Sequence, residues 1–233
     1  MSGRRPETTS MSEWFSRFGA LPDYGLAGLV LLLLYEIQSE IRFGKRARAH
    51  RPGASDRHST LAVSLAAAVP VVGFVLAMKA DSPSFRPYLP EWFRHASVPG
   101  IPLTPWIGVA LEGVGIALRL WAVLTLRERY TRTLLVQDRH PVERSGPYRR
   151  VRHPGYLGSL LTLNGVALAS ANVVVFAASL LATCAAYAYR IRVEDEMLAA
   201  SLGPPYTEYR REVAALIPFL RPGAHGSHSR PDS

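Results

Sequence analysis

Cysteine is almost absent: Cys184 is the single one in 233 residues. That excludes an internal disulfide and a metal site built from protein thiolates alone. Its position in an apolar run predicts a packing role rather than a reactive one. Lysine is equally scarce, with only Lys45 and Lys79 among 27 basic residues, the rest being arginine. The glycine-rich G-x-G-x-x-G loop of a dinucleotide fold is missing. No internal repeat is visible. Met1–Ser10 is too polar for the start of a cleavable leader, and the first apolar run is long enough to stay as a membrane span.

Hydrophobic residues make up 48% of the chain, yet the mean hydropathy is only +0.07. The average conceals segregation into apolar runs and arginine-rich connections. Pro22–Ile41, Thr60–Lys79 and Leu103–Leu126 each approach the ~20 apolar residues that cross a bilayer. Gly155–Tyr189 is too long for one span, and Ser170 and Asn172 offer a turn that divides it. The expectation is therefore an all-α membrane protein with about five transmembrane helices. The net charge of +9 could suit a nucleic-acid binder, but it is concentrated in loops 42–58 and 127–153. Loop 80–102 carries only Arg86 and Arg94. Basic loops stay cytoplasmic, which sets the N-terminus outside, the C-terminus inside, and no nucleic acid as partner.

This pattern divides the chain into a polar, interfacial segment at 1–20 and three spans with their loops at 21–126. A core follows at 127–220, made of a basic loop, a two-helix hairpin and polar helices, and then a Pro/Gly/Ser/His tail at 221–233 that reads as disordered. Pro83, Pro87, Pro90 and Pro99 deny loop 80–102 a long helix, and its aromatics suit a headgroup belt. Trp121 reads as an interfacial anchor. Beyond the fifth span, "RIRVEDEMLAASLG" reads as a polar helix stopped by Gly203-Pro204-Pro205. "YTEYRREVAAL" reads as a second, packed down by Tyr206 and Tyr209.

Chemistry concentrates in a few places. "GPYRRVRHPGYLG", residues 146–158, sets Arg149, Arg150, Arg152 and His153 before an apolar helix. Pro154 suits the first turn of that helix, whose free amides favour anions. His153 and Tyr156 can both bond a polar ligand there, or simply form a helix start with a snorkelling tyrosine. Arg190 precedes Glu194 by four residues, so the two share a helical face. They are either a surface ion pair or a pair aimed at a ligand at the lipid boundary. Glu112 and Arg119, seven apart in the third span, share a face too; Glu112 is expected to make a structural contact inside the bundle.

"SGPYRRVRHPGY", "RIRVEDEML" and "GPPYTEYRREVAALIP", in this order, resemble the isoprenylcysteine carboxyl methyltransferase family of integral membrane methyltransferases. The resemblance covers roughly Gly113–Phe219. It implies use of S-adenosylmethionine without a Rossmann domain, in a cytosol-facing pocket closed by the loop before the fourth span and the C-terminal helices. By motif, the cofactor contacts would be His140, Pro141, Val142, Glu143, Tyr148, His153, Pro154, Gly155, Tyr156 and Glu194. Arg190 would meet the substrate carboxylate and act with Glu194 in catalysis; no metal is implied. Where the family usually reads His-x-Leu-Val, this chain has Glu143 in the last place, and its usual Glu-Glu pair is Glu194-Asp195. The implied acceptor is a lipophilic small molecule or lipid, most simply a carboxylate. Related alternatives are a phospholipid or amine N-methyltransferase, an NADPH-dependent membrane reductase of similar C-terminal half, and a non-catalytic protein that kept the fold. The arginine-rich, lysine-poor composition points to a bacterial chain and so to the inner membrane.

Overall fold

A computed structural model describes residues 58–80, 82–96, 103–126 and 142–218. Within them the elements are α1 (Ser59–Lys79), α2 (Glu91–Arg94), α3 (Thr104–Leu126), α4 (Pro154–Ala169), α5 (Val173–Leu202) and α6 (Pro204–Glu212). Single 3₁₀ turns lie at Arg86–Tyr88 and Gly146–Arg149. Among the described residues there is no strand, only a bridge between Val151 and Ala214. The expected spans at Thr60–Lys79 and Leu103–Leu126 become α1 and α3 almost unchanged. The expected span at Pro22–Ile41 lies outside the described residues.

α1, α3 and α5 are long and apolar enough to cross a membrane. α4 has 16 residues, ~24 Å at ~1.5 Å per residue, which falls short of a ~30 Å hydrocarbon core. α5 has 30 residues and is ~45 Å long on the same rise. Its apolar stretch ends at Tyr189, and the charged remainder from Arg190 onward runs on past it without a break. The sequence suggested a separate polar helix there; the structure shows one helix, because nothing between Ala188 and Glu196 interrupts it.

The α4–α5 turn falls at Ser170–Asn172. Ala171 takes a left-handed φ of 52°, which costs about 1 kcal/mol for a residue with a Cβ. Asn172 offsets it by accepting from the amides of Val174 and Val175 at 3.0 and 3.1 Å, a cap that contributes about 1 kcal/mol. Its side-chain amide donates to the Phe93 carbonyl at 2.9 Å. Phe93 is thereby seated against Ala167 and Val175, while Tyr88 and Trp92 of the same loop stay exposed. Gly203, at φ 67°, ends α5, and Pro204-Pro205 open α6.

α3 and α4 meet backbone to backbone. A Cβ on Gly115 would lie 2.5 Å from the Thr162 amide nitrogen, and one on Gly165 would lie 2.6 Å from the amide nitrogen of Glu112. Gly158 and Gly108 face these two across the same seam. Small residues in register allow such an approach where lipid gives no hydrophobic drive for association. Buried Arg119 closes the seam by donating to the Gly155 carbonyl at 3.0 Å and to the Ser159 hydroxyl. On the other side of α4, buried Phe74 of α1 joins Leu163, Val166 and Tyr187 in the main apolar cluster. Cys184, expected to pack, is instead exposed on α5, since the inward face of that turn is taken by Thr183 and Tyr187.

Gly115→Val should clash with fixed backbone and destabilise the fold by at least about 3 kcal/mol, read as a lower melting temperature and loss of monodispersity in detergent. Gly113→Ala, whose Cβ would meet nothing within 4 Å, should leave both unchanged.

Candidate functional site

Arg152 and His153 immediately precede α4, and their amides donate to the carbonyls of Ala214 and Ala215 at 2.9 and 3.1 Å. This pairing holds the segment before α4 against the one after α6. The amides of Tyr156 and Leu157 both bond back to the His153 carbonyl, at 3.1 and 3.0 Å. The first turn of α4 is thus partly closed on itself and offers fewer free amides to an anion than its sequence suggested.

The polar centre is Asp195, 3% exposed. Its Oδ2 accepts from Arg152 at 3.0 Å, and its Oδ1 pairs with His153 Nε2 at 2.9 Å and accepts from the Tyr206 hydroxyl at 2.5 Å. Arg210 approaches to 3.6 Å from the exposed side. Burial raises the carboxyl's pKa, but the His153 and Tyr206 hydrogen bonds and the Arg152 charge outweigh it and hold the group well below the ordinary range. Arg152 also donates to the carbonyls of Arg210 and Val213. Tyr209 donates to the Tyr148 carbonyl at 2.6 Å, and burial pushes its phenol up to about 12, so it stays a neutral donor. Arg144 lies over its ring and pairs with Glu212 at 2.7 Å. Tyr206 and Tyr209 are buried, as the sequence suggested.

With Nε2 against Asp195, His153 turns Nδ1 toward Glu194, 3.7 Å from its Oε2. That oxygen is buried and has no hydrogen-bond partner among the described residues. An unpaired buried carboxylate oxygen is costly, and a ligand donor between it and His153 would satisfy both. His153 also stacks on Tyr156, 5.5 Å between ring centroids. One turn back on α5, Arg190 is 4% exposed. It donates through Nε to the Tyr156 hydroxyl at 3.0 Å, and through Nη1 to Ser59 and Thr60 at 2.8 and 2.7 Å.

The structure therefore brings His153, Tyr156, Arg190 and Glu194 together. Pro154 is buried at the first position of α4, and Gly155 contributes its carbonyl to Arg119. Tyr148 is buried at the clasp below Tyr209. Glu143 accepts from the Ser145 amide at 3.0 Å, and so braces its own loop; Val142 lies half-buried beside it. His140 and Pro141 lie outside the described residues. Sequence reasoning took Asp195 only as a changed second member of the usual Glu-Glu pair and gave it no structural role, although a carboxylate beside Glu194 with Arg152-His153 upstream was a usable signal. Nothing in the sequence marked Ser59 and Thr60. Glu112 is buried in the α3–α4 seam, and its Oε1 has no hydrogen-bond partner among the described residues. No group of three or more His, Cys, Asp or Glu among the described residues is placed to hold a metal ion.

Fold and cluster together define a helical membrane protein whose polar centre joins the start of a short helix to the charged end of a long one. The model of the Isoprenylcysteine carboxyl methyltransferase (ICMT) family matches residues 107–200, and over this stretch the chain is similar to that family. The cobalt-zinc-cadmium resistance protein CzcN of Cupriavidus metallidurans is 36% identical over 114 residues, 49% of this chain and 47% of that protein. A probable protein-S-isoprenylcysteine O-methyltransferase of Oryza sativa subsp. indica is 29% identical over 117 residues, 49% of this chain and 61% of that protein. The chain thus spans about half the length of these relatives. A solved structure of the eukaryotic intramembrane Ras methyltransferase ICMT is similar with a TM-score of 0.51 and 24% identity, covering 67% of this chain and 52% of that one; it supports the fold.

Asp195→Ala should leave Arg152 buried without its carboxylate and cost about 3–5 kcal/mol, read as a fall in melting temperature. Asp195 ordinarily titrates near ~3.9 when unfolded and lies lower when folded, so its contribution is present above about pH 4 and is lost as pH falls below that. Asp195→Asn should flatten the acid limb of the melting-temperature profile; an unchanged limb would remove Asp195 from this role.

Proposed function

We propose that this chain is an S-adenosylmethionine-dependent membrane methyltransferase acting on a lipophilic carboxylate. The observation that carries the reading is the pairing on one face of α5: the buried Oε2 of Glu194 beside His153, with no hydrogen-bond partner among the described residues, and one turn earlier the buried cation of Arg190. Glu194 and His153 fit a donor-rich, cationic ligand such as the ammonium of an amino-acid cofactor. Arg190 fits the carboxylate of the acceptor. The family match and the relatives named as isoprenylcysteine O-methyltransferases support the same chemistry.

S-adenosylmethionine, when bound, supplies a methyl group on a sulfonium leaving group. The chain's part is binding and orientation. Glu194, His153 and Tyr156 hold the cofactor end, with Val142, Glu143 and Tyr148 on the loop side. Arg190 aims the acceptor carboxylate, which is already ionised at neutral pH and requires no general base. The gain is near-attack positioning in a site shielded from water by the segment before α4 and by α6. An amine acceptor is disfavoured, because an ammonium would approach a buried guanidinium, and Asp195 is too acidic and too fully engaged to deprotonate it. The acceptor's lipid portion would lie among the membrane helices. The basic loops face the cytoplasm, and the protein resides in the bacterial inner membrane with its N-terminus outside.

Calorimetry on detergent-purified protein tests this directly. S-adenosylhomocysteine should bind with micromolar affinity and NADPH not at all; the reverse result would make the chain a reductase. Arg190→Ala should lower turnover at least ~100-fold while S-adenosylhomocysteine affinity stays within about twofold. Glu194→Ala should weaken that affinity ~10-fold or more. The two residues are neighbours on one helix, so the double variant apportions their effects.

A further inference from the structure

Every group in the proposed site but two comes from the stretch after residue 140. Ser59 and Thr60 open α1, outside the family-matched residues 107–200. Hydroxyls in the first turn of a helix commonly bond free backbone amides. Here α1 begins without a side-chain cap, and both hydroxyls accept from Nη1 of Arg190 instead. Ser59 is fully buried in doing so. With Tyr156 on Nε, three of the five N–H groups that a guanidinium carries bond to hydroxyls of α1 and α4. Arginine's planar fork then has a set orientation, and the long flexible stem loses its freedom to swing.

A hydroxyl satisfies an N–H but leaves the guanidinium its charge. A carboxylate in the same place would neutralise the cation and compete with an anionic acceptor. We propose that Ser59 and Thr60 are positioning residues of the methyl-transfer site, which fix the plane of Arg190. α1 then belongs to the acceptor site as well as to the membrane anchor. The inference rests on the carboxylate reading above.

The test is the double variant Ser59→Ala/Thr60→Val in the full chain, with N-acetyl-S-farnesylcysteine as the acceptor. The KM for this acid should rise ~10-fold, since small misplacements of an orienting group are costly, while S-adenosylhomocysteine affinity is unchanged. The swap Ser59→Thr/Thr60→Ser, which keeps both hydroxyls, should recover most of the loss, and Thr60→Asp should raise KM further than Thr60→Val. Phenylglyoxal modification of Arg190, followed by peptide mass spectrometry, reads the clamp without any turnover; it should be several-fold faster in the double variant. An unchanged modification rate overturns the clamp whatever the kinetics, and a KM within twofold of the parent despite faster modification overturns the positioning role. If the double variant loses S-adenosylhomocysteine binding as well, the site has collapsed, and Thr60→Val at its exposed position carries the same two criteria. If the parent binds S-adenosylhomocysteine but does not methylate the acid, the carboxylate reading fails, and the clamp then stands or falls on the modification rate.

Discussion

Asp195 is the point through which separate segments of the chain become one site. Its carboxylate receives Arg152 and His153 from the segment before α4 and Tyr206 from α6, while its own backbone belongs to α5. A buried carboxylate is tolerable only when its lone pairs are filled and its charge is matched. Arg152 matches the charge, and His153 and Tyr206 fill the remaining positions. The arrangement explains why the ring of His153 presents Nδ1 to Glu194, since its other nitrogen is engaged. It also explains why α6, only nine residues long, can hold its place: Tyr206 and Tyr209 both end on fixed acceptors.

The membrane half solves a different problem. Lipid gives two apolar helices no hydrophobic reason to associate, so α3 and α4 approach until their backbones touch at glycines. The tightness of that contact determines where α4 begins. Arg119 then bonds the first two turns of α4 at Gly155 and Ser159, close to His153 and Tyr156. The position of the polar centre is thus inherited from a steric contact deeper in the bundle. On the opposite side, α1 closes against α4 and α5 through Phe74 and delivers Ser59 and Thr60 to Arg190.

Much of this was legible in the residue order. Apolar length located α1, α3 and the two-helix hairpin, and Asn172 and Gly203 marked the breaks because each supplies a local backbone solution that few other residues supply. Arg190 and Glu194 were readable as a pair because a helix places residues four apart on one face. The helix from Val173 to Leu202 was misdivided, since a change from apolar to charged residues marks the edge of a solvent and not the end of a helix. The expected packing of Cys184 failed for a related reason: in a membrane span, apolar residues face outward as readily as inward.

By itself, the sequence determined which segments are helical, where they turn, and which side chains could carry charge near a membrane boundary, because these follow from nearest neighbours and helical period. Only the tertiary structure decided that Asp195 rather than Glu194 is the structural carboxylate. The two are adjacent and chemically alike, and the difference lies in which faces Arg152 and Tyr206. The same holds for Ser59 and Thr60, two ordinary hydroxyls about 130 residues away from Arg190 in the chain. No local rule connects them, and their role exists only because packing of α1 against α5 brings them within hydrogen-bond distance.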